Sequence, residues 1–223
     1  MKLFNACFRT FTIIIGFAFA ITPALAQKGK TILAVFAHPD DESTVSPVLA
    51  KYVAEGASVY LVVATDGRYG FTPHFGMKNP DSLALVRAGE LNCLATTLGI
   101  NKPLIVGLHD QMQMKTGMDS LNSQLNKLRT RLADLFVEIK PDIVITWGSS
   151  GLTGHPDHRA VSDVVTEVFA MKRWQKPMNL FYTEVPTGSV PSNTFYVATV
   201  DSSYLNVRVP VSQAHLQKAR TAW

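Results

Sequence analysis

Thr31-Ile32-Leu33-Ala34-Val35-Phe36 runs straight into Ala37-His38-Pro39-Asp40-Asp41-Glu42. The first six residues are almost wholly apolar and rich in strand formers, so they read as a strand buried on both faces. The second six cannot continue it. Pro39 removes a ladder donor, and one imidazole and three carboxylates fall within residues 38–42. In an open α/β sheet, ligands bind outside the carboxyl ends of the strands. A buried strand that ends in His, Asp, Asp and Glu therefore predicts both the fold and the place of its site.

Working outward, apolar β-branched runs alternate with helical patterns. Strands are predicted at 31–37, 58–64, 103–107, 142–147, about 179–184 and 194–200. Leu121, Leu125, Leu128, Leu132, Leu135, Phe136 and Ile139 repeat at three and four, the spacing of one helix face. Lys140-Pro141 should stop that helix. Leu83, Val86, Leu91, Leu94 and Leu98 mark an earlier helix closed by Gly99, and Val161, Val164, Val165 and Val168 mark a later one. This alternation predicts an α/β fold: a mostly parallel sheet with helices on both faces. Loops at 65–80 (with His74) and 148–154 follow strand ends, so both should rim one crevice.

The second cluster, Gly154-His155-Pro156-Asp157-His158-Arg159, follows the strand 142–147 and opens a helix. Pro156 suits the first helical position, which puts His155 near the N-cap and Asp157 and His158 in the first turn. Two His/Asp clusters at strand ends can meet at one point and supply the three ligands of a catalytic divalent metal. His38 and Asp41, three apart on a Pro-containing turn, can both reach one ion. Asp40 then stands beside the metal, where a general base takes a proton from water. One histidine of the second cluster can bind metal; the other, held by a carboxylate, can face a developing oxyanion. Caps and turn formers would explain each cluster alone, but not both at strand ends. A nucleotide site is disfavoured, because no Gly-rich fingerprint follows the first strand.

Residues 1–26 read as a secretory signal peptide: basic Lys2 and Arg9, an apolar core from Phe11 to Ile21, and Ala24-Leu25-Ala26 as the cleavage pattern. That predicts export to a periplasmic or extracellular space, with no stable membrane insertion after cleavage. Residues 27–223 form one domain. The net charge of +4 loses two basic residues and no acid on cleavage, so it is weak evidence for a nucleic-acid partner, and none is expected. Cys7 leaves with the signal, and Cys93, among Leu91, Leu94 and Leu98, is expected to be a small core residue.

The two motifs closely resemble the PIG-L/LmbE-like family of zinc-dependent N-acetylglucosaminyl de-N-acetylases, and the resemblance runs from about residue 31 onward. It implies a Rossmann-like fold and hydrolysis of an N-acetyl group on a small-molecule amino-sugar conjugate. By position, His38, Asp41 and His158 resemble the ligands of one Zn²⁺ per chain, for which other divalent metals could substitute. Asp40 resembles the base, and His155 the residue that stabilises the oxyanion as an imidazolium, oriented by Asp157. Arg87, in an Arg-x-x-Glu element with Glu90, and Asp110 resemble substrate contacts. Arg68 stands where the family commonly has an acidic residue. Lys218-Ala219-Arg220-Thr221-Ala222 resembles the start of a terminal helix that in the family normally continues into a His-x-Ser/Thr-Gln element, whereas this sequence stops at Trp223: either this lineage is short or the chain is a fragment. A homo-oligomer is left open. The rival readings are an amidase for another acyl group and a metal- or sugar-binding protein without catalysis. His74, His109 and His215 carry no motif support and are expected to pack or face solvent.

Overall fold

A computed structural model describes residues 28–71, 76–171, 174, 178–191 and 196–223. The expected signal peptide and His74 lie outside the described residues. In chain order the elements are β1 (Thr31–Phe36), α1 (Ser46–Ala54), β2 (Ser58–Thr65), α2 (Pro80–Leu98), β3 (Leu104–Leu108) and α3 (Met118–Ile139). They are followed by β4 (Ile143–Trp147), α4 (Gly151–Gly154), α5 (Pro156–Ala170), β5 (Asn179–Thr183) and α6 (Gln213–Ala222). The five strands form one sheet in the order β3-β2-β1-β4-β5, and every pairing is parallel. This is the α/β, Rossmann-like architecture the alternation predicts.

β1 explains the layering. Its side chains alternate, so Ile32, Ala34 and Phe36 enter one core with Leu49 of α1 and Leu91, Leu94 and Leu98 of α2. Leu33 and Val35 enter the opposite core with Leu128, Leu132 and Leu135 of α3 and Val161, Val164 and Val165 of α5. Each such aliphatic side chain, fully buried, stabilises the fold by roughly 1.5–3 kcal/mol. The helices end as their sequences demand. Gly99 closes α2 at φ 79°, and Lys140 closes α3 at φ 53°, just before Pro141. Among the described residues, no helix is long and apolar enough to cross a membrane.

Two expectations need correction. Cys93 is exposed. It lies on the far side of α2 from Leu91, Leu94 and Leu98, since two helical steps carry it about 200° from Leu91. The described part of the strand predicted at 194–200 forms only an isolated parallel bridge from Val200 to Pro186. Pro186 has no N–H to extend a ladder, and Ala198 donates its N–H to Leu152 O at 2.6 Å, away from the edge of β5.

The topology places the site. From β1 the chain moves outward through β2 and β3, then crosses back to β4 on the other side of β1. The carboxyl ends of β1 and β4 therefore flank the switch point, where open α/β sheets bind ligands. Both His/Asp clusters begin there.

Candidate metal centre

The turn after β1 is held by side chains in place of regular pairing. Asp41 is buried, and its Oδ2 accepts the N–H groups of Ala37 (3.0 Å) and His38 (2.9 Å). That fixes Oδ1 at 3.1 Å from His158 Nε2. Burial opposes its ionisation, but hydrogen bonds from His158 and His38 outweigh burial and hold the carboxyl well below the usual range. Asp40 sits at φ 107°, a conformation that non-glycine residues rarely adopt. Glu42 Oε2 accepts the Asp40 N–H at 3.2 Å and pins this geometry. The buried Glu42 carboxyl is itself pushed up to about 7 by desolvation.

The side chain of Asp40 is half exposed, and Arg87 Nη1 reaches it at 3.1 Å. Burial and the neighbouring Asp41 charge raise its pKa, and the Arg87 and His38 charges oppose the rise. A raised carboxylate beside a metal suits a general base.

The second cluster rests on an ordinary helix start. Pro156 occupies the first position of α5, and His155 Nδ1 caps the helix by accepting the Asp157 N–H at 3.1 Å. His158, in the first turn, donates from Nδ1 to Gly151 O at 2.9 Å, which turns Nε2 toward the centre. Gly151 is required there: its φ is 63°, and a Cβ would lie 2.8 Å from that of His158. Trp147 stacks on the other side of the His158 ring, with centroids 5.2 Å apart and planes 16° apart.

These elements bring His38, Asp41 and His158 together as the motifs predict. His38 Nδ1 lies 3.2 Å from His158 Nε2 and 3.6 Å from Asp41 Oδ2. Donors bound to Zn²⁺ at about 2.0–2.2 Å in tetrahedral geometry stand roughly 3.3–3.5 Å apart. Two imidazole nitrogens and one carboxylate at this spacing fit such an ion. Two further groupings converge: His38 with His155 and His158, and His38 with Asp110 and Asp157. In the latter, the carboxylates accept backbone N–H groups from Tyr69 and Gln111.

One predicted partnership is redrawn. The carboxylate of Asp157, fully buried, accepts from His38 Nε2 at 3.1 Å and not from His155. The α5 start explains why: the Asp157 N–H faces His155, and its side chain turns inward. His155 Nδ1 accepts that cap hydrogen bond, which leaves Nε2 as the ring nitrogen able to donate elsewhere. Burial and the His38 charge also lower its pKa. Asp110, 3 % exposed, accepts the Tyr69 N–H at 2.8 Å and faces His38 Nε2 at 3.3 Å, and it lines a pocket together with Tyr69, Phe71, His109 and Gln111.

Arg87 is a brace in this structure. Besides Asp40, it bonds Pro39 O at 2.8 Å and Gly70 O at 3.2 Å, tying the loop after β2 to the base. The departure at Arg68 is absorbed locally by ion pairs with Asp66 (2.7 Å) and Asp81 (2.8 Å). His215 caps α6 with Ser212, and exposed His109 bonds Asp110 O at 2.6 Å. Glu42, Gly151 and the Gln111 N–H escaped sequence reasoning. Only Glu42 carried a signal there, as the last acid of its motif.

Comparison with known proteins fits this geometry. The family PIG-L, described as GlcNAc-PI de-N-acetylase, matches residues 33–169. The chain belongs to the PIG-L family. A 1D-myo-inositol 2-acetamido-2-deoxy-alpha-D-glucopyranoside deacetylase from Mycolicibacterium vanbaalenii is 28% identical over 191 residues, covering 79% of this chain and 66% of that protein. The chain thus spans a little under two thirds of the length of the curated relatives it matches. Among solved structures, the N,N'-diacetylchitobiose deacetylase from Pyrococcus horikoshii superimposes with TM-score 0.62 at 20% identity, over 90% of this chain and 72% of that one. A 4-carboxy-2-hydroxymuconate hydratase from Pseudomonas putida gives TM-score 0.56 at 19% identity, over 70% of this chain and 65% of that one. The fold therefore accompanies more than one chemistry, and the PIG-L site itself must carry the assignment.

Proposed function

We propose that this PIG-L chain is an exported, zinc-dependent hydrolase that removes the N-acetyl group from an N-acetylglucosamine-type conjugate. One observation carries the reading. His38 Nδ1, Asp41 and His158 Nε2 converge at metal-ligand spacing, with Asp40 beside them as a carboxylate of raised pKa. A bound Zn²⁺ would activate water and polarise the acetyl carbonyl. Asp40 takes the proton of the attacking water and holds it within reach of the leaving amine. His155 presents Nε2–H to the developing oxyanion, a fixed donor set by its helix cap. Arg87 holds Asp40 in place and moderates its proton affinity. A complete base and oxyanion donor also argue against a protein that only binds metal or sugar.

Zn²⁺-loaded protein incubated with a panel of N-acetylglucosamine conjugates should release acetate. An amidase for a different acyl group would release that acid instead, and hydration of an unsaturated acid without acetate would overturn the reading. Export rests on the signal-like residues 1–26, and an N-terminus beginning at Gln27 in protein recovered from outside the cytoplasm is the expected result.

A further inference from the structure

The side of His38 turned away from Asp41 is more elaborate than a ligand's backing requires. His38 Nε2 lies 3.1 Å from Asp157 Oδ2 and 3.3 Å from Asp110 Oδ1. The Gln111 N–H donates to the same two oxygens, at 2.9 Å and 2.8 Å. Two donors and two acceptors thus close a four-cornered ring. Gln111, Met112 and Gln113 hold φ of 63°, 49° and 55°, so three consecutive non-glycine residues are left-handed. Such residues are costly and persist where the surroundings over-determine them. Here the turn aims one N–H between two buried carboxylates. Asp157 Oδ1 has no hydrogen-bond partner among the described residues, so burying this carboxylate costs stability that a neutral residue would spare. The arrangement favours one outcome: a proton kept on His38 Nε2 and a lone pair kept on Nδ1, toward Asp41 and His158.

We propose that Asp157, Asp110 and the left-handed Gln111 turn form a tautomer clamp on His38, making both aspartates positioning residues for the metal ligand. This rests on the zinc reading above and reassigns Asp157 from His155. Carboxylates on the remote nitrogen of a ligating histidine fix its tautomer and raise its basicity, and losing one weakens metal binding by about 10–100-fold. Because both aspartates serve one N–H, their losses should not multiply.

Zn²⁺ affinity measured by chelator competition on the full chain tests this, together with ¹⁵N imidazole spectra of the Zn²⁺-loaded wild type. Asp157→Asn is expected to weaken binding by about 10–100-fold. Asp110→Asn should weaken it less, and the double variant should fall short of the product. His155→Ala should leave the affinity within about threefold, well below that range. The spectra should show His38 protonated at Nε2 and metallated at Nδ1, a readout that needs no variant to fold. Unchanged affinity in folded Asp157→Asn, or a metal on Nε2, would overturn the clamp. Wild-type protein that takes up no Zn²⁺ would sink the underlying zinc reading instead.

Discussion

The turn after β1 and the start of α5 deliver their side chains to the same point by opposite means. At α5 the rules are regular: Pro156 takes the first helical position, His155 caps, and His158 follows one residue after the buried Asp157. At β1 the chain is forced. Asp40 sits at φ 107°, Glu42 is buried to pin it, and Asp41 reaches back to two backbone N–H groups. The regular element brings the proposed ligand His158 and the proposed oxyanion donor His155, whose places follow from helix geometry. The strained turn brings the proposed base along with the proposed ligands His38 and Asp41, where a shift of a fraction of an ångström matters most. Asp40 is thus held by local strain and burial together with His38 and Asp41, and His158 by secondary structure.

Substitutions can break this contrast. The largest effect is expected from Asp40→Asn, which keeps the turn's shape but removes the proton acceptor. Turnover should fall by ~10²–10⁴-fold with Zn²⁺ still bound, as read from kcat and metal content together. Near-wild-type turnover would remove Asp40 from the mechanism. His155→Ala should follow, losing about 10²–10³-fold in kcat through the missing oxyanion donor. It should also lose ~1 kcal/mol of stability through the missing cap, measured by denaturant unfolding. If it strips the metal, His155 is a ligand and the division of labour at α5 is wrong.

Gly151→Ala sharpens the comparison from the α5 side. Its Cβ would sit 2.8 Å from His158 Cβ at a φ of 63°, so strain and overpacking should cost about 1–3 kcal/mol. Zn²⁺ affinity should weaken with it, because the Gly151 carbonyl aims His158. An unaltered melting temperature and affinity would show that the carbonyl does not orient the ring.

The smallest effect concerns pH. Burial opposes charge on His38, but hydrogen bonds to Asp110, Asp157 and Asp41 outweigh it and raise the pKa well above its ordinary 6.5. A raised histidine adds stability that is fully present below the unfolded-state value and is lost as pH rises through the folded-state value. Metal-free protein should therefore lose stability as pH climbs above about 6.5, and Zn²⁺ should restore it by replacing a proton. A flat profile for the metal-free chain would argue that His38 is neutral in its pocket.

Much of this was legible before any coordinates. The strands, the helix faces of α3 and α5, and the stops at Gly99 and Lys140 follow from periodicity and terminal chemistry, which are local. The meeting of His38, Asp41 and His158 was legible because topology sends both strand ends to one crevice. The partner of Asp157 was not. It depends on Gln111, 46 residues away, in a left-handed turn that Gln111-Met112-Gln113 does not advertise, since no Gly or Asn marks it. Cys93 failed for a plainer reason, because neighbouring leucines do not say which side of α2 a residue takes.

The central claim is that His38, Asp41 and His158 hold one catalytic ion, and metal content measures it most directly. Purified wild-type protein exposed to Zn²⁺ and dialysed should retain about one ion per chain, while His38→Ala, folded by circular dichroism, should retain almost none. Full occupancy in His38→Ala would contradict the account.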